Sequence, residues 1–139
     1  MLLQSANFVL PYINQPGTFT LSDYKGKIII LTFWVSWCPD CSTDLPKKEQ
    51  IYRSMNDNNI EMVTINVTER ERSHTDAENY TAKFLSQPTL KDNGREVYDF
   101  FQCEGVPTTV IINQHGEIVR TFGEKDTIME IIEAIGAIL

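Results

Sequence analysis

Hydrophobic positions along this chain alternate between two habits, short apolar runs and helical spacing, and the switches between them mark its elements. Residues 28–35 are almost wholly apolar and rich in β-branched and aromatic side chains. Continuous rather than alternating hydrophobicity predicts a central strand covered on both faces. Residues 60–67 form the next strand. Upstream, residues 7–10 and 18–21 flank the turn formers Asn14-Gln15-Pro16-Gly17, which predicts an N-terminal hairpin, and residues 22–27 read as a turn with a short helical twist.

Helical spacing starts at Pro39, a residue suited to the first position of a helix, and runs through Leu45, Tyr52 and Met55 to the polar break at residues 56–59. Pro46 lies inside that helix and is expected to kink it. Thr75-x-x-Glu78 matches a capping box ahead of Ala77, Tyr80, Phe84 and Leu85 at helical spacing. A short strand is expected at residues 88–90, a turn at Asp92-Asn93-Gly94, and a short helix with Val97, Phe100, Phe101 and Cys103 on its apolar side. Residues 106–112 and 117–122 around Asn113-Gln114-His115-Gly116 predict a second hairpin. Thr127-x-x-Glu130 caps a last helix with Ile128, Ile131, Ile132, Ile135 and Leu139 on one face. The order predicts one α/β domain over residues 1–139, without repeats or linkers.

Composition narrows the function classes. A chain of 139 residues suits a single core. A formal net charge of −7 argues against nucleic acid or anionic lipid as a partner held by general electrostatics. No apolar run approaches the roughly 20 residues that cross a bilayer. Met1-Leu2-Leu3 is followed by polar residues and lacks a basic start, so it does not read as a signal peptide. Three cysteines are an odd number, which argues against a static disulfide framework.

Two of those cysteines, Cys38 and Cys41, are paired by spacing directly after the apolar run; Cys103 stands alone and is expected to be a small buried hydrophobe. Two thiols three residues apart at a helix start can close a small disulfide ring. The free N–H groups and dipole of the helix end favour the thiolate of the first. Cys38 is therefore expected to attack a disulfide sulfur and Cys41 to resolve the mixed disulfide. The same spacing is also half of a zinc site. The other candidate ligands, His74, His115 and Cys103, are not spaced as a second pair, and no metal site is expected.

The run Trp37-Cys38-Pro39-Asp40-Cys41, a proline eight residues after Cys38, and Gly105-Val106-Pro107-Thr108-Thr109 before a hairpin resemble the thioredoxin superfamily. Asn7-Phe8-Val9-Leu10, the stretch from Leu21 to Lys27, the stretch from Thr32 to Cys41 and Asn66-Val67-Thr68-Glu69 are similar to the bacterial TlpA/ResA-like thiol–disulfide oxidoreductases, a likeness that extends from about Asn7 to the last helix. The resemblance implies an α/β, thioredoxin-like three-layer fold with a central mixed sheet flanked by helices and an N-terminal β-hairpin. It implies a reductant of protein disulfides acting through Cys38 and Cys41, with no metal or organic cofactor. Pro107 becomes a cis-proline opposite the cysteines, the backbone of Val106 a shelf for extended substrate, and Trp37 with Pro39 the substrate-facing surface beside Cys38. Glu69 becomes the proton acceptor for Cys41; read from the residues alone it is a solvated loop glutamate beside Arg70 and Arg72. Thr32 stands where many thioredoxins carry a buried aspartate, and Trp34 is expected in the core.

The partners so implied are a disulfide-bearing protein, with apocytochrome c or another cell-envelope protein among the candidates, and a thiol electron donor, the chain itself acting as a monomer. The expected location is the outer face of a bacterial cytoplasmic membrane if an anchor precedes Met1, and the cytoplasm if Met1 is the native start. Two rivals share the fold. Copper delivery wants cysteines separated by three residues and a downstream histidine. Peroxide reduction wants a threonine three residues before the reactive cysteine, where this chain has Val35.

Asp40, between the cysteines, adds a negative charge that disfavours the neighbouring thiolate, and a less stabilised thiolate makes the disulfide a weaker oxidant. Redox titration against glutathione or dithiothreitol is expected to place the pair toward the reducing end. A potential near that of the strong oxidants, about −120 mV, would contradict this.

Overall fold

The computed structural model describes residues 5–55 and 57–139; Met1, Leu2 and Leu3, and Asn56 of the expected polar break, lie outside the described residues. In chain order the strands are β1 (Val9–Pro11), β2 (Thr18–Thr20), β3 (Ile28–Trp34), β4 (Ile60–Asn66), β5 (Thr89–Lys91), β6 (Thr108–Ile112) and β7 (Ile118–Phe122). The helices are α1 (Pro39–Ser54), α2 (His74–Phe84), α3 (Glu96–Phe100) and α4 (Ile128–Ile138).

Strands β5-β4-β3-β6-β7 form one sheet in that order. β3 runs parallel to β4, β4 parallel to β5, and β6 antiparallel to both β3 and β7, so the sheet is mixed. All seven residues of β3 are buried, as its unbroken apolar run requires. The two-residue period of the strand divides residues 28–31 and Phe33 between two cores. Ile29, Leu31 and Phe33 pack with Leu10 and Phe19 of the hairpin and Val97 and Tyr98 of α3. Ile28 and Ile30 pack with Ile131 and Ile135 of α4 and Ile51 and Tyr52 of α1. Each such side chain contributes about 1.5–3 kcal/mol by leaving water.

The N-terminal hairpin pairs β1 with β2 and forms its own small sheet. It also covers an edge: the Ile13 N–H donates to the Thr89 carbonyl at 2.7 Å, and Tyr12 bridges to Leu90. The free side of β5 is thereby shielded from pairing with another chain.

Two local expectations differ in outcome. The cap at Thr127 forms as expected, with the Glu130 N–H donating to the Thr127 hydroxyl and that hydroxyl donating to the Glu130 carboxylate, both at 3.2 Å. The box expected at Thr75 does not. α2 begins at His74 and its cap is Ser73, whose extended backbone lets its hydroxyl accept the Thr75 N–H at 3.4 Å. Thr75 then falls in the first turn, and Glu78 lies too far along the helix to reach back. α1 continues through Pro46 to Ser54.

One buried acid ties α1 to the loop before β5. Glu49 is 3% exposed, and its carboxylate accepts from the N–H and hydroxyl of Ser86 and from the N–H and side-chain amide of Gln87, at 2.5–3.1 Å. Burial raises its pKa, but these donors outweigh burial and hold the carboxyl below the usual range. Its contribution to stability is complete above the unfolded-state value of about 4.3 and is lost as pH falls through the lower folded-state value. Glu49→Gln turns an amide toward those donors and is expected to cost about 2–3 kcal/mol in urea unfolding at neutral pH. The difference from wild type should shrink in acid; a pH-independent difference would contradict this account.

Candidate active site

β3 ends at Trp34, and four residues later Cys38 is the N-cap of α1. The extended backbone of Cys38 turns its sulfur back over the first helical turn, where Sγ accepts the Cys41 N–H at 3.2 Å. Pro39 follows at the first helical position, exposed, where a missing N–H costs nothing. Cys38 is 6% exposed and Cys41 1%, so the second thiol lies deeper by one turn, and both are free thiols. Burial, then the hydrogen bond with Cys38, push the Cys41 thiol well above the usual range.

Across from the pair, the Cys38 thiol donates to the Val106 carbonyl at 3.6 Å, and the Val106–Pro107 peptide is cis. A groove of about 460 Å³ opens beside Pro107, lined among others by Cys103, Gly105, Thr108, Phe122 and Lys125. The fold thus brings Cys38, Cys41, Pro39, Val106 and Pro107 to one place. Cys103 lies on the groove wall, half-buried, with burial raising its thiol to about 12.

Trp37 is 39% exposed beside Cys38, whereas Trp34 is fully buried and donates from its indole to the Thr64 hydroxyl at 3.0 Å. The loop after β4 holds Trp37: its indole N–H donates to the Arg70 carbonyl at 2.7 Å, and the Arg72 guanidinium lies 4.6 Å from the ring centre. Glu71 anchors the same loop. Its carboxylate accepts from the Ser36 N–H at 2.8 Å, the Ser36 hydroxyl at 2.6 Å and the Asn66 amide at 2.6 Å.

The charged stretch at residues 69–72, expected as solvated loop, therefore splits by residue. Glu69 stays exposed on a short 3-10 turn, its N–H bonded to the Gly94 carbonyl and its carboxylate beside Gly94 and facing Arg95. The geometry does not bring it to Cys41. The carboxylate whose charge Cys41 senses is Asp44, one turn further along α1.

Beneath Cys41 the sheet carries an unexpected polar row. Thr89, Thr64, Thr32 and Thr109 are register partners in succession across β5, β4, β3 and β6, and all four are buried. Lys48 of α1, 0% exposed, donates from Nζ to Thr109 Oγ1 at 2.8 Å, Asp44 Oδ2 at 2.9 Å and Thr32 Oγ1 at 3.2 Å. Thr32, in the place of the expected aspartate, thus receives a lysine. Asp44, Lys48 and Glu71 stand out only in the folded chain. Cys41, Asp44, Leu45 and Lys48 share a helix face at i, i+3, i+4 and i+7, and a lysine in that register is the available signal. Nothing local marks Glu71.

The model of the AhpC/TSA family matches residues 4–121. Thiol-disulfide oxidoreductase ResA of Halalkalibacterium halodurans is 32% identical over 84% of this chain and 65% of its own length. ResA of Bacillus subtilis is 34% identical over 82% and 62% respectively. The chain therefore spans less than two thirds of these relatives. Among solved structures, StoA from Bacillus subtilis superposes with a TM-score of 0.81 at 27% identity, covering 95% of this chain and 98% of that one. The exposed lipoprotein thioredoxin Etrx1 of Streptococcus pneumoniae does so with 0.80 at 27% identity, covering 95% and 99%. The thioredoxin-like fold, with its central mixed sheet and N-terminal hairpin, is the one expected.

Glu71→Ala leaves three donors of the Ser36 and Asn66 groups without their acceptor. It is expected to lower stability to urea by about 1–2 kcal/mol and to raise acrylamide quenching of Trp37, with the buried Trp34 unaffected. Unchanged quenching would show that Glu71 does not hold this loop.

Proposed function

We propose that this chain, which belongs to the AhpC/TSA family and carries a thioredoxin-like fold, is a thiol–disulfide oxidoreductase that reduces disulfides in other proteins. The observation that carries this reading is Cys38 at the cap of α1, its sulfur bonded by the Cys41 N–H and facing Val106 before cis-Pro107.

In the first step the Cys38 thiolate attacks one sulfur of a substrate disulfide. A bond forms between Cys38 and that sulfur, the substrate bond breaks, and the second substrate sulfur leaves and takes up a proton. Cys41 then gives up its proton and attacks Cys38 Sγ. The Cys38–Cys41 bond forms, and the first substrate sulfur is released and protonated. The substrate has gained two electrons and two protons, and a thiol donor must return the pair to the dithiol.

Burial keeps Cys41 protonated until the mixed disulfide exists, so the second step needs an acceptor. Asp44, one turn away, is assigned that role in place of Glu69. Trp37 and Pro39 offer apolar surface to the incoming chain, and the Val106 backbone with Pro107 is the shelf against which an extended segment lies. The substrate is a protein disulfide, with apocytochrome c or another cell-envelope protein the candidates carried from the resemblance. Action outside the cytoplasmic membrane is the location that goes with them. Val35, 1% exposed and without a hydroxyl at the third position before Cys38, favours exchange over peroxide reduction.

Insulin-disulfide reduction with dithiothreitol as donor tests the class. Cys38→Ser and Cys41→Ser should both abolish turnover, and Cys41→Ser should accumulate a mixed disulfide on Cys38. Asp44→Asn is expected to slow resolution by about 10²-fold while Glu69→Gln leaves it unchanged. Absence of insulin reduction together with rapid thiol consumption by hydrogen peroxide would reject the reading.

A further inference from the structure

A fully buried lysine is rare unless paired, and Lys48 is used to capacity: its ammonium has three protons and three acceptors, Asp44, Thr32 and Thr109. Such a pair is weak evidence for stability, because apolar replacements often fold as well. Its position suggests a chemical use. Long helical side chains lean toward the helix N-terminus. Lys48 does so, reaching back one turn to Asp44 and so toward Cys41, which lies one turn further on the same face. The groups near Lys48 that ionise are Asp44 and Cys41, both on α1; β3 and β6 present it with threonines.

We propose that Lys48 is a positioning residue of the exchange site, the buried cation that holds the negative charge as it passes from the Asp44 carboxylate to the Cys41 thiolate. The inference rests on the dithiol-exchange reading above. When Cys41 gives its proton to Asp44, the S–H bond breaks, an O–H bond forms, and the negative charge moves from oxygen to sulfur. With Lys48 in place, one ion pair replaces another and no charge is left uncompensated in the interior. Without it, the thiolate must form in a buried site beside the newly protonated Asp44, with no cation to balance it. Burial lowers the Lys48 pKa overall, against the raising pull of Asp44 and Cys41, so its cationic form depends on a negative partner beside it.

The test reads Cys41 directly. In a Cys38→Ser, Cys103→Ala background Cys41 is the sole thiol, and its thiolate absorbance near 240 nm can be titrated. Asp44→Asn is expected to lower the Cys41 midpoint, because Lys48 then attracts the thiolate alone. Adding Lys48→Met to Asp44→Asn removes the cation with no carboxylate left unpaired, and should raise the midpoint by about one pH unit, a ten-fold loss of thiolate at fixed pH. In the protein with all cysteines, Lys48→Met should slow resolution of the mixed disulfide about ten-fold, leaving the initial attack by Cys38 within about two-fold. Lys48→Gln, which keeps a hydrogen-bonding head without the charge, serves if Lys48→Met lacks a cooperative unfolding transition. Equal Cys41 midpoints in Asp44→Asn with and without Lys48 would overturn the proposal. Since the titration uses no substrate, failure of the wild-type protein to reduce insulin would strike the exchange reading and leave this measurement standing.

Discussion

Everything at this site depends on β3 being covered on both faces. A strand paired on each side, with apolar layers above and below, cannot shift register by one residue without moving every side chain into the opposite core, which is packed for others. β3 also sits where the sheet changes character, parallel toward β4 and antiparallel toward β6. Its C-terminal end is therefore a fixed point, and in open α/β sheets ligands gather outside the carboxyl ends of strands where the strand order reverses. Cys38 lies four residues beyond that end, the Val106 carbonyl faces it from the loop just before β6, and the loop after β4 closes over the third side. Three loops meet there because three neighbouring strands bring them.

The same burial makes the polar row across the sheet consequential. Four buried threonine hydroxyls in succession need partners, and an unmade hydrogen bond costs about 1–3 kcal/mol. Trp34 donates to Thr64, Thr64 to Thr89, and Thr89 to the Gln87 carbonyl. Lys48 donates to Thr32 and Thr109 and, through Asp44, links the row to the face of α1 that carries Cys41. The core under the cysteines is thus wired rather than greasy, and the Lys48 cation lies on the side where Cys41 must ionise. Among the described residues, the Asn66 and Gln87 side-chain carbonyl oxygens are the buried polar atoms without a protein partner.

Much of this was legible along the chain. The strands of the main sheet, the N-terminal hairpin, the cap at Thr127 and the placement of Cys38 and Cys41 at a helix start all follow from local period and turn chemistry. The cis state of the Val106–Pro107 bond came only through resemblance, since nothing in the local residues distinguishes it from trans. Where expectation failed, two local signals competed. Ser73 and Thr75 are both capping residue types at the head of α2, and it is Ser73 whose backbone adopts the extended form a cap requires. Glu69 and Glu71 both follow β4, and the turn at residues 68–70 sends the first outward and the second to Ser36.

Lys48 and Glu49 show the boundary most clearly. Two adjacent charges on a helix read as solvent-facing, and by propensity alone they are. Sequence by itself determined the alternation of elements, the double-sided burial of β3 and the dithiol at the head of α1, because each is set by residues within a few positions of one another. The tertiary structure alone decided that Lys48 meets Thr32 and Thr109, that Glu49 clamps Ser86 and Gln87, and that Glu71 rather than Glu69 serves the cysteine loop. Those partners lie on other elements, and a buried charge is tolerated only where such partners converge, a condition no local pattern can state.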